Sequence, residues 1–452
     1  MIRPILYSQQ VRNARSTSQS VVRWTSQTPV TAIPPDPNCD PANPRVLQFG
    51  QISSAAFSIR DGIMKTECRR SYRFSNHLGM DLFLKMELNQ VTGSFKERGA
   101  RCALLRLTEE QRAAGVWAAS AGNHALALCY HGGQLGVPIN VVMPRYAPLA
   151  KIDFCSKLGA NIIVKGKDIS VAREIALEKA ASEPNAVYIN GYDHIDILAG
   201  AGTVALEILD QIRHVDAILI PVGGGGLIAG MAVAIRTLFP KIQIIAVEAN
   251  ECPSFTNAMK QGKAVYTASH PTLADGLAVP TVGINAFATA KDLVDKVVTV
   301  TEKDIALAIL RLVEWEKVIT EGAGAICVAA LLSDSLPELK GKRVACVLSG
   351  GNIDSTALGV IIERGMVTDT RLCSFSVVVS DRPGGVAELA DIIAKCGASI
   401  KTMHMDRTWL QQNVFSVMVK SSVETRNYEH ASELKETLQQ RYEEVDFKMG
   451  PK

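Results

Sequence analysis

Lys96 is the residue whose type and setting first suggest chemistry. It stands in Thr92-Gly93-Ser94-Phe95-Lys96-Glu97-Arg98-Gly99-Ala100 and leads into a helical run, Ala100–Leu107. An amine at a helix start feels the positive end of the helix dipole, which lowers its pKa and favours the neutral nucleophile that attacks an aldehyde. A lone lysine is ordinarily a solvated surface residue, so the reading needs company. Ser120-Ala121-Gly122-Asn123-His124 precedes the helical run Ala125–Gln134. Backbone N–H groups at such a helix start can take a carboxylate, and Asn123 offers both a donor and an acceptor. By itself the loop also reads as a Ser/Asn helix cap, and His124 as a structural histidine.

Two glycine-rich turns complete the set. Gly223-Gly224-Gly225-Gly226-Leu227 follows the apolar stretch Ala217–Val222 and opens a helix. Four glycines permit positive φ and let backbone N–H groups approach an anion, so a phosphate is the expected ligand. No Gly-Lys-Ser/Thr follows, which excludes a Walker loop, and the dinucleotide spacing and its ribose-binding acid are missing. Ser349 opens Ser349-Gly350-Gly351-Asn352-Ile353-Asp354 at the end of the stretch Val344–Leu348, where α/β sheets place ligands. A nucleophilic lysine, a phosphate cradle, an Asn loop and a strand-end serine together describe a phosphorylated aldehyde cofactor.

The elements that position these residues alternate. Short apolar strands (Ile139–Met143, Asn161–Lys165, Ala217–Val222, Ile242–Val247, Val344–Leu348) are interleaved with amphipathic helices (Leu198–Arg213, Leu227–Phe239, Glu302–Glu316, Ala323–Leu332). That alternation predicts an α/β domain over 46–367 with parallel sheets covered on both faces. Met366–Arg371 reads as a linker. From Cys373 the order becomes strand Cys373–Val379, helix Val386–Cys396, strands Ser399–Arg407 and Val414–Lys420, helix Tyr428–Tyr442, strand Glu444–Lys448. This is a ferredoxin-like βαββαβ unit over 371–449.

Composition bounds the rest. The chain has 452 residues, 47% of them hydrophobic, and a net charge of +3, which gives no reason to expect nucleic acid or a membrane surface as partner. No apolar run approaches the ~20 residues that span a bilayer. Ten cysteines without a C-x-x-C pair read as buried, reduced thiols, and hence as a cytoplasmic protein. Residues 1–45 form a basic leader, expected to be disordered. Arg3, Arg12, Arg15 and Arg23 with no acid before Asp36 also suit a mitochondrial transit peptide, so the matrix is the alternative address.

All four motifs, in this order, resemble the fold-type II (tryptophan-synthase β-like) pyridoxal-phosphate enzymes, and within them the threonine dehydratases, also called threonine ammonia-lyases. The resemblance covers roughly Val46 to Val367. It implies two parallel-sheet subdomains and pyridoxal 5'-phosphate as cofactor. It implies Lys96 as the Schiff-base lysine, with Phe95 beside it, and Asn123 at the cofactor's 3'-oxygen. It further implies Ser120, Ala121, Gly122 and His124 around the substrate carboxylate, Gly223 to Leu227 at the phosphate, and Ser349 at the pyridine nitrogen. Glu321 and the stretch Thr272–Gly276 match segments near the active site. The activity implied is dehydration and deamination of L-threonine to 2-oxobutanoate and ammonia, and of L-serine to pyruvate. The similar serine racemases carry a serine where this chain has Ala121; racemisation needs that second acid–base group, so Ala121 favours elimination. Their metal site is only partly matched: Glu248 fits, whereas Cys252 and Ser254 depart from it. The C-terminal unit resembles an ACT domain, an amino-acid-binding module, with Asp381, Gly384 and Gly385 in its turn; packing or oligomerisation is its other use. A homodimer or homotetramer is the default assembly. The rival readings are serine racemase, another β-elimination or replacement enzyme, and a non-catalytic amino-acid sensor.

Overall fold

The computed structural model describes residues 36–410 and 414–450. Two sheets build the catalytic unit. The larger has six strands in the order Cys68–Arg70, Asp81–Lys85, Arg343–Val347, Ala217–Pro221, Gln243–Ala249 and Lys296–Val300. Its first pair is antiparallel and all others are parallel. The smaller sheet is wholly parallel, in the order Asn161–Val164, Ile139–Met143, Val116–Ala119 and Val187–Tyr188. Ala217–Pro221 is buried at every position, as a strand covered on both faces must be.

The predicted helices form with small shifts. Leu198–Arg213 becomes Ile195–Gln211, and Ala323–Leu332 becomes Gly322–Leu332. Glu302–Glu316 stays α-helical only to Arg311 and then widens into a π-turn, Leu312–Glu316, closed by Lys317 at φ +60°. Lys96 is itself the first residue of a helix, Lys96–Leu105, so the run expected from Ala100 begins four residues earlier.

The C-terminal unit is βαββαβ, with an antiparallel sheet in the order Ser399–Asp406, Ser416–Glu424, Leu372–Ser380, Val445–Lys448. One face, with Phe375, Val377 and Val419, packs on Leu389, Ile393 and Leu434 of its two helices. The expected linker is not a free tether. The helix Ser355–Thr368 absorbs half of it, and the crossing is pinned where Arg371 Nη1 meets Glu314 Oε1 at 2.6 Å and Arg311 pairs with Asp369.

The leader also needs correction at its end. Residues 1–35, with the transit-peptide reading, lie outside the described residues. Residues 36–45, expected to be disordered, instead cross the large subdomain. Asn285 Nδ2 donates to the Asn38 carbonyl (2.7 Å), the Arg45 N–H donates to Asn285 Oδ1 (2.7 Å), and Asp36 is buried. All ten cysteines are free thiols, and no helix among the described residues is long and apolar enough to cross a membrane.

Candidate active site

Three of the four motifs lie just beyond the carboxyl end of a parallel strand: Ser120 after Ala119, Gly223 after Pro221, Ser349 after Val347. That is where an α/β sheet leaves its backbone open to a ligand.

Lys96 Nζ donates to the Gly191 carbonyl at 2.6 Å and lies 5.1 Å from the centre of the Phe95 ring. Burial pulls its pKa down to about 8, against the pull of the Glu321 charge. The lysine loop is fastened to the serine loop: the Phe95 N–H donates to the Ser349 carbonyl (3.0 Å), and Ser94 bridges Gly350. Ser349 is buried, with Oγ donating to the Ala323 carbonyl at 3.2 Å.

Asn123 joins this group from the other subdomain. Its Nδ2 donates to Glu321 Oε1 (2.7 Å), while its Oδ1 accepts from Asn352 Nδ2 (2.9 Å). Burial, followed by the nearby charge of Asp275, raises the Glu321 carboxyl to about 7. Gly350 must be glycine here, because a Cβ would stand 2.4 Å from Glu321 Oε1. A cleft of about 730 Å³ opens beside these residues, lined by Gly93, Lys151, Thr272, Asp275, Glu321 and Asn352.

The four-glycine turn is buried and opens a 13-residue helix, Gly226–Leu238, whose first-turn N–H groups have no partner inside the helix. Gly225 holds φ +88°. A Cβ on Gly224 would stand 2.3 Å from the Tyr192 ring, and one on Gly223 2.8 Å from Leu277 Cα. Leu227 is a core residue that can offer a ligand only its backbone.

Sequence reasoning missed the loop Asn190-Gly191-Tyr192-Asp193, which connects these parts. Gly191 takes the lysine, Tyr192 packs on the glycine turn, and the Asp193 carboxylate accepts from the N–H groups of Ile284 (2.8 Å) and Ala286 (2.9 Å). Its signal was an Asn-Gly pair directly after a two-residue strand, too short to register as a strand end. Also missed was a buried ion cluster behind the lysine helix. There Arg98 pairs with Glu87 and Glu207 (2.7 Å each), and Lys85 with Glu207 (2.5 Å).

The other expected residues make contacts of their own. The His124 ring packs on Gly191 with Nε2 3.1 Å from the Ile189 carbonyl, and burial holds its pKa near 3, so it is a neutral prop beneath the lysine's acceptor. Ser120 Oγ accepts the Gly122 N–H (3.2 Å), and Ala121 packs against the small subdomain's core. Glu248 is fully buried. Its two oxygens accept from the N–H groups of Phe255 (2.7 Å) and Thr256 (2.8 Å) and from the Thr256 hydroxyl (2.7 Å), which spends the carboxylate on a helix start. Among the described residues no group of three or more His, Cys, Asp or Glu side chains could hold a metal. In the C-terminal unit Asp381 pairs bidentately with Arg407 (2.7 and 2.8 Å). Gly384 serves a φ of +102°, and a Cβ on Gly385 would meet the Ser380 carbonyl at 2.0 Å. Helix–strand packing explains Gly385, whereas Gly384 serves the turn and has open space around it.

The residue set fits pyridoxal phosphate. It combines a lysine with a depressed pKa, a glycine cradle at a helix start, and a buried Ser94 hydroxyl without a protein partner. The sequence pattern of the pyridoxal-phosphate dependent enzymes matches residues 59–350. The chain belongs to that family. An L-threonine ammonia-lyase of Geobacter sulfurreducens is 40% identical over 394 residues, covering 87% of this chain and 98% of that protein. This alignment exceeds the 46–367 stretch by more residues than the leader could supply, so it extends into the C-terminal unit. Among solved structures of family members, the processed threonine deaminase isoform 2 of Solanum lycopersicum superposes with a TM-score of 0.67 at 31% identity, covering 74% of this chain and 98% of that one. A serine racemase of Dictyostelium discoideum gives 0.65 at 34%, covering 68% and 99%.

Proposed function

We propose that this chain is a threonine ammonia-lyase that converts L-threonine to 2-oxobutanoate and ammonia, and L-serine to pyruvate and ammonia. The water lost in elimination returns when the released enamine hydrolyses, so the net change is one amino acid to one 2-oxo acid and ammonia. Lys96 holds the cofactor, Gly223 to Leu227 receive its phosphate, Asn123 its ring oxygen and Ser349 its ring nitrogen. When bound, pyridoxal phosphate withdraws electrons from the substrate α-carbon.

The protein's own groups do the remaining work. The N–H groups at the start of the Asn123–Leu135 helix take the substrate carboxylate. Lys96, set against the Gly191 carbonyl, receives the α-proton on one face. A base at this position contributes ~10²–10⁴-fold. Ser349 brings a neutral hydroxyl, not a carboxylate, to the ring nitrogen. The residue that favours elimination is Ala121: where the similar serine racemases carry the serine that racemisation needs as a second proton donor, this chain carries a methyl group. Identity of 40% to an L-threonine ammonia-lyase along nearly its whole length supports the same reading.

The expected outcome for Lys96→Ala is loss of both the visible band of the lysine-linked cofactor and 2-oxobutanoate release; retained turnover sinks the assignment. Threonine and serine assayed side by side, with chiral analysis of residual serine, separate lyase from racemase. Serine racemase is the second reading, favoured by the Dictyostelium likeness, and D-serine as main product would establish it. The C-terminal unit is the proposed sensor of an amino acid. Isoleucine, valine, threonine and serine titrated with and without residues 371–452 should give different curves; superposition refutes the sensor.

A further inference from the structure

Asn352 belongs to the serine loop but has no role in the reading above. Its Nδ2 donates twice, to the Thr92 carbonyl (2.6 Å) and to Asn123 Oδ1 (2.9 Å). A carbonyl cannot donate, so the Thr92 end dictates which end of the Asn352 amide faces it. The second Nδ2–H then obliges Asn123 to present its oxygen to Asn352 and its nitrogen to the site. Asn123 Nδ2 gives one proton to Glu321 Oε1 (2.7 Å) and keeps one for a guest. Glu321 Oε1 favours the same orientation from the other side, so Asn352 and Glu321 together fix an amide whose oxygen and nitrogen differ little in size. Gly93 is part of the device: at φ +76° it lacks the Cβ that would stand 2.5 Å from Asn352 Oδ1.

We propose that Asn352 is a positioning residue that locks the polarity of the Asn123 amide, so that Asn123 meets the cofactor as a hydrogen-bond donor. The chain Thr92 carbonyl, Asn352, Asn123, Glu321 runs from an obligate acceptor to a carboxylate and admits one direction of donation. The same chain crosses from the large subdomain, which carries Thr92, Asn352 and Glu321, to the helix Asn123–Leu135 of the small one. This inference rests on the assignment of Asn123 to the cofactor's ring oxygen.

The test is Asn352→Asp, a change of one atom that replaces the donor by an acceptor. The Asn123 amide then turns its nitrogen to the new carboxylate and its oxygen to the cofactor oxygen, acceptor against acceptor. The lysine-linked band of the holoenzyme should shift in wavelength or in its pH response, without any substrate present. Cofactor affinity should fall about tenfold or more, the scale of a lost hydrogen bond to a charged group. Asn352→Ser and Asn123→Ser, alone and combined, provide a cycle for the case in which Asn352→Asp does not fold. Acting through Asn123, Asn352→Ser should add little once Asn123 is gone. An unshifted band with unchanged affinity, or losses that simply add in the double variant, overturns the inference. The readout is spectroscopic, so a shifted band in a protein that releases no 2-oxobutanoate would sink the reaction and leave Asn352 its role.

Discussion

Cofactor loading should follow the depressed pKa of Lys96. Attack on an aldehyde needs the neutral amine. At pH 7 an ordinary lysine with pKa 10.5 is about 0.03% neutral, whereas Lys96, at about 8, is about 9% neutral, a gain of about 300-fold. Burial causes the shift, and the Glu321 carboxylate opposes it. The assay is stopped-flow mixing of cofactor-free protein with pyridoxal phosphate from pH 7 to 10, following growth of the lysine-linked band. The rate should rise about fivefold between pH 7 and 8 and level off above pH 8, where the amine is mostly neutral. In Glu321→Gln the opposing charge is gone, so the plateau should begin at lower pH. A wild-type rate that climbs without a break to pH 10 refutes the argument, as does a Glu321→Gln plateau displaced upward.

Glu321 itself should make the fold sensitive to pH. Its folded pKa, about 7, lies above the ordinary 4.5, so its contribution to stability is fully present below about 4.5 and is lost as pH rises through 7. Between pH 5.5 and 7.5 this is about 2 kcal/mol, so the unfolding free energy from urea titrations of cofactor-free protein should fall by that much more in wild type than in Glu321→Gln. Arg98→Met leaves the fully buried Glu87 without its ion-pair partner, while Glu207 keeps Lys85, and should cost ~3–5 kcal/mol in the urea transition of the catalytic unit; a loss under ~1 kcal/mol would show the Arg98 pair to be dispensable. Deleting residues 1–45 should weaken cofactor retention relative to deleting 1–35, because residues 36–45 hold Asn285, whose Nδ2 also donates to the Asp193 carbonyl (2.9 Å) beneath the glycine turn. Equal retention in the two truncations, measured by dialysis, would refute this.

Sequence alone was enough for features that are local in the chain. A run such as Ala217–Val222 followed by four glycines reads as a buried strand feeding a turn and a helix, because apolar runs, glycine freedom and helix starts are properties of neighbouring residues. Lys96, Asn123 and Ser349 were legible only as a set, since each motif by itself also has an ordinary structural reading. Tertiary structure decided everything that depends on distant partners. Glu248 stands in a promising sequence context, yet packing commits its oxygens to Phe255 and Thr256. His124 sits within the substrate loop, yet helix phase turns its ring to Gly191. Asn190 to Asp193 carry only an Asn-Gly pair as a local signal, because their role is to join three segments that meet only in the folded chain. Asn352 shows the division most clearly. Its presence in Ser349–Asp354 was plain from the start, but its function lies in two hydrogen bonds to residues 260 and 229 positions away, and no local pattern encodes such a pairing.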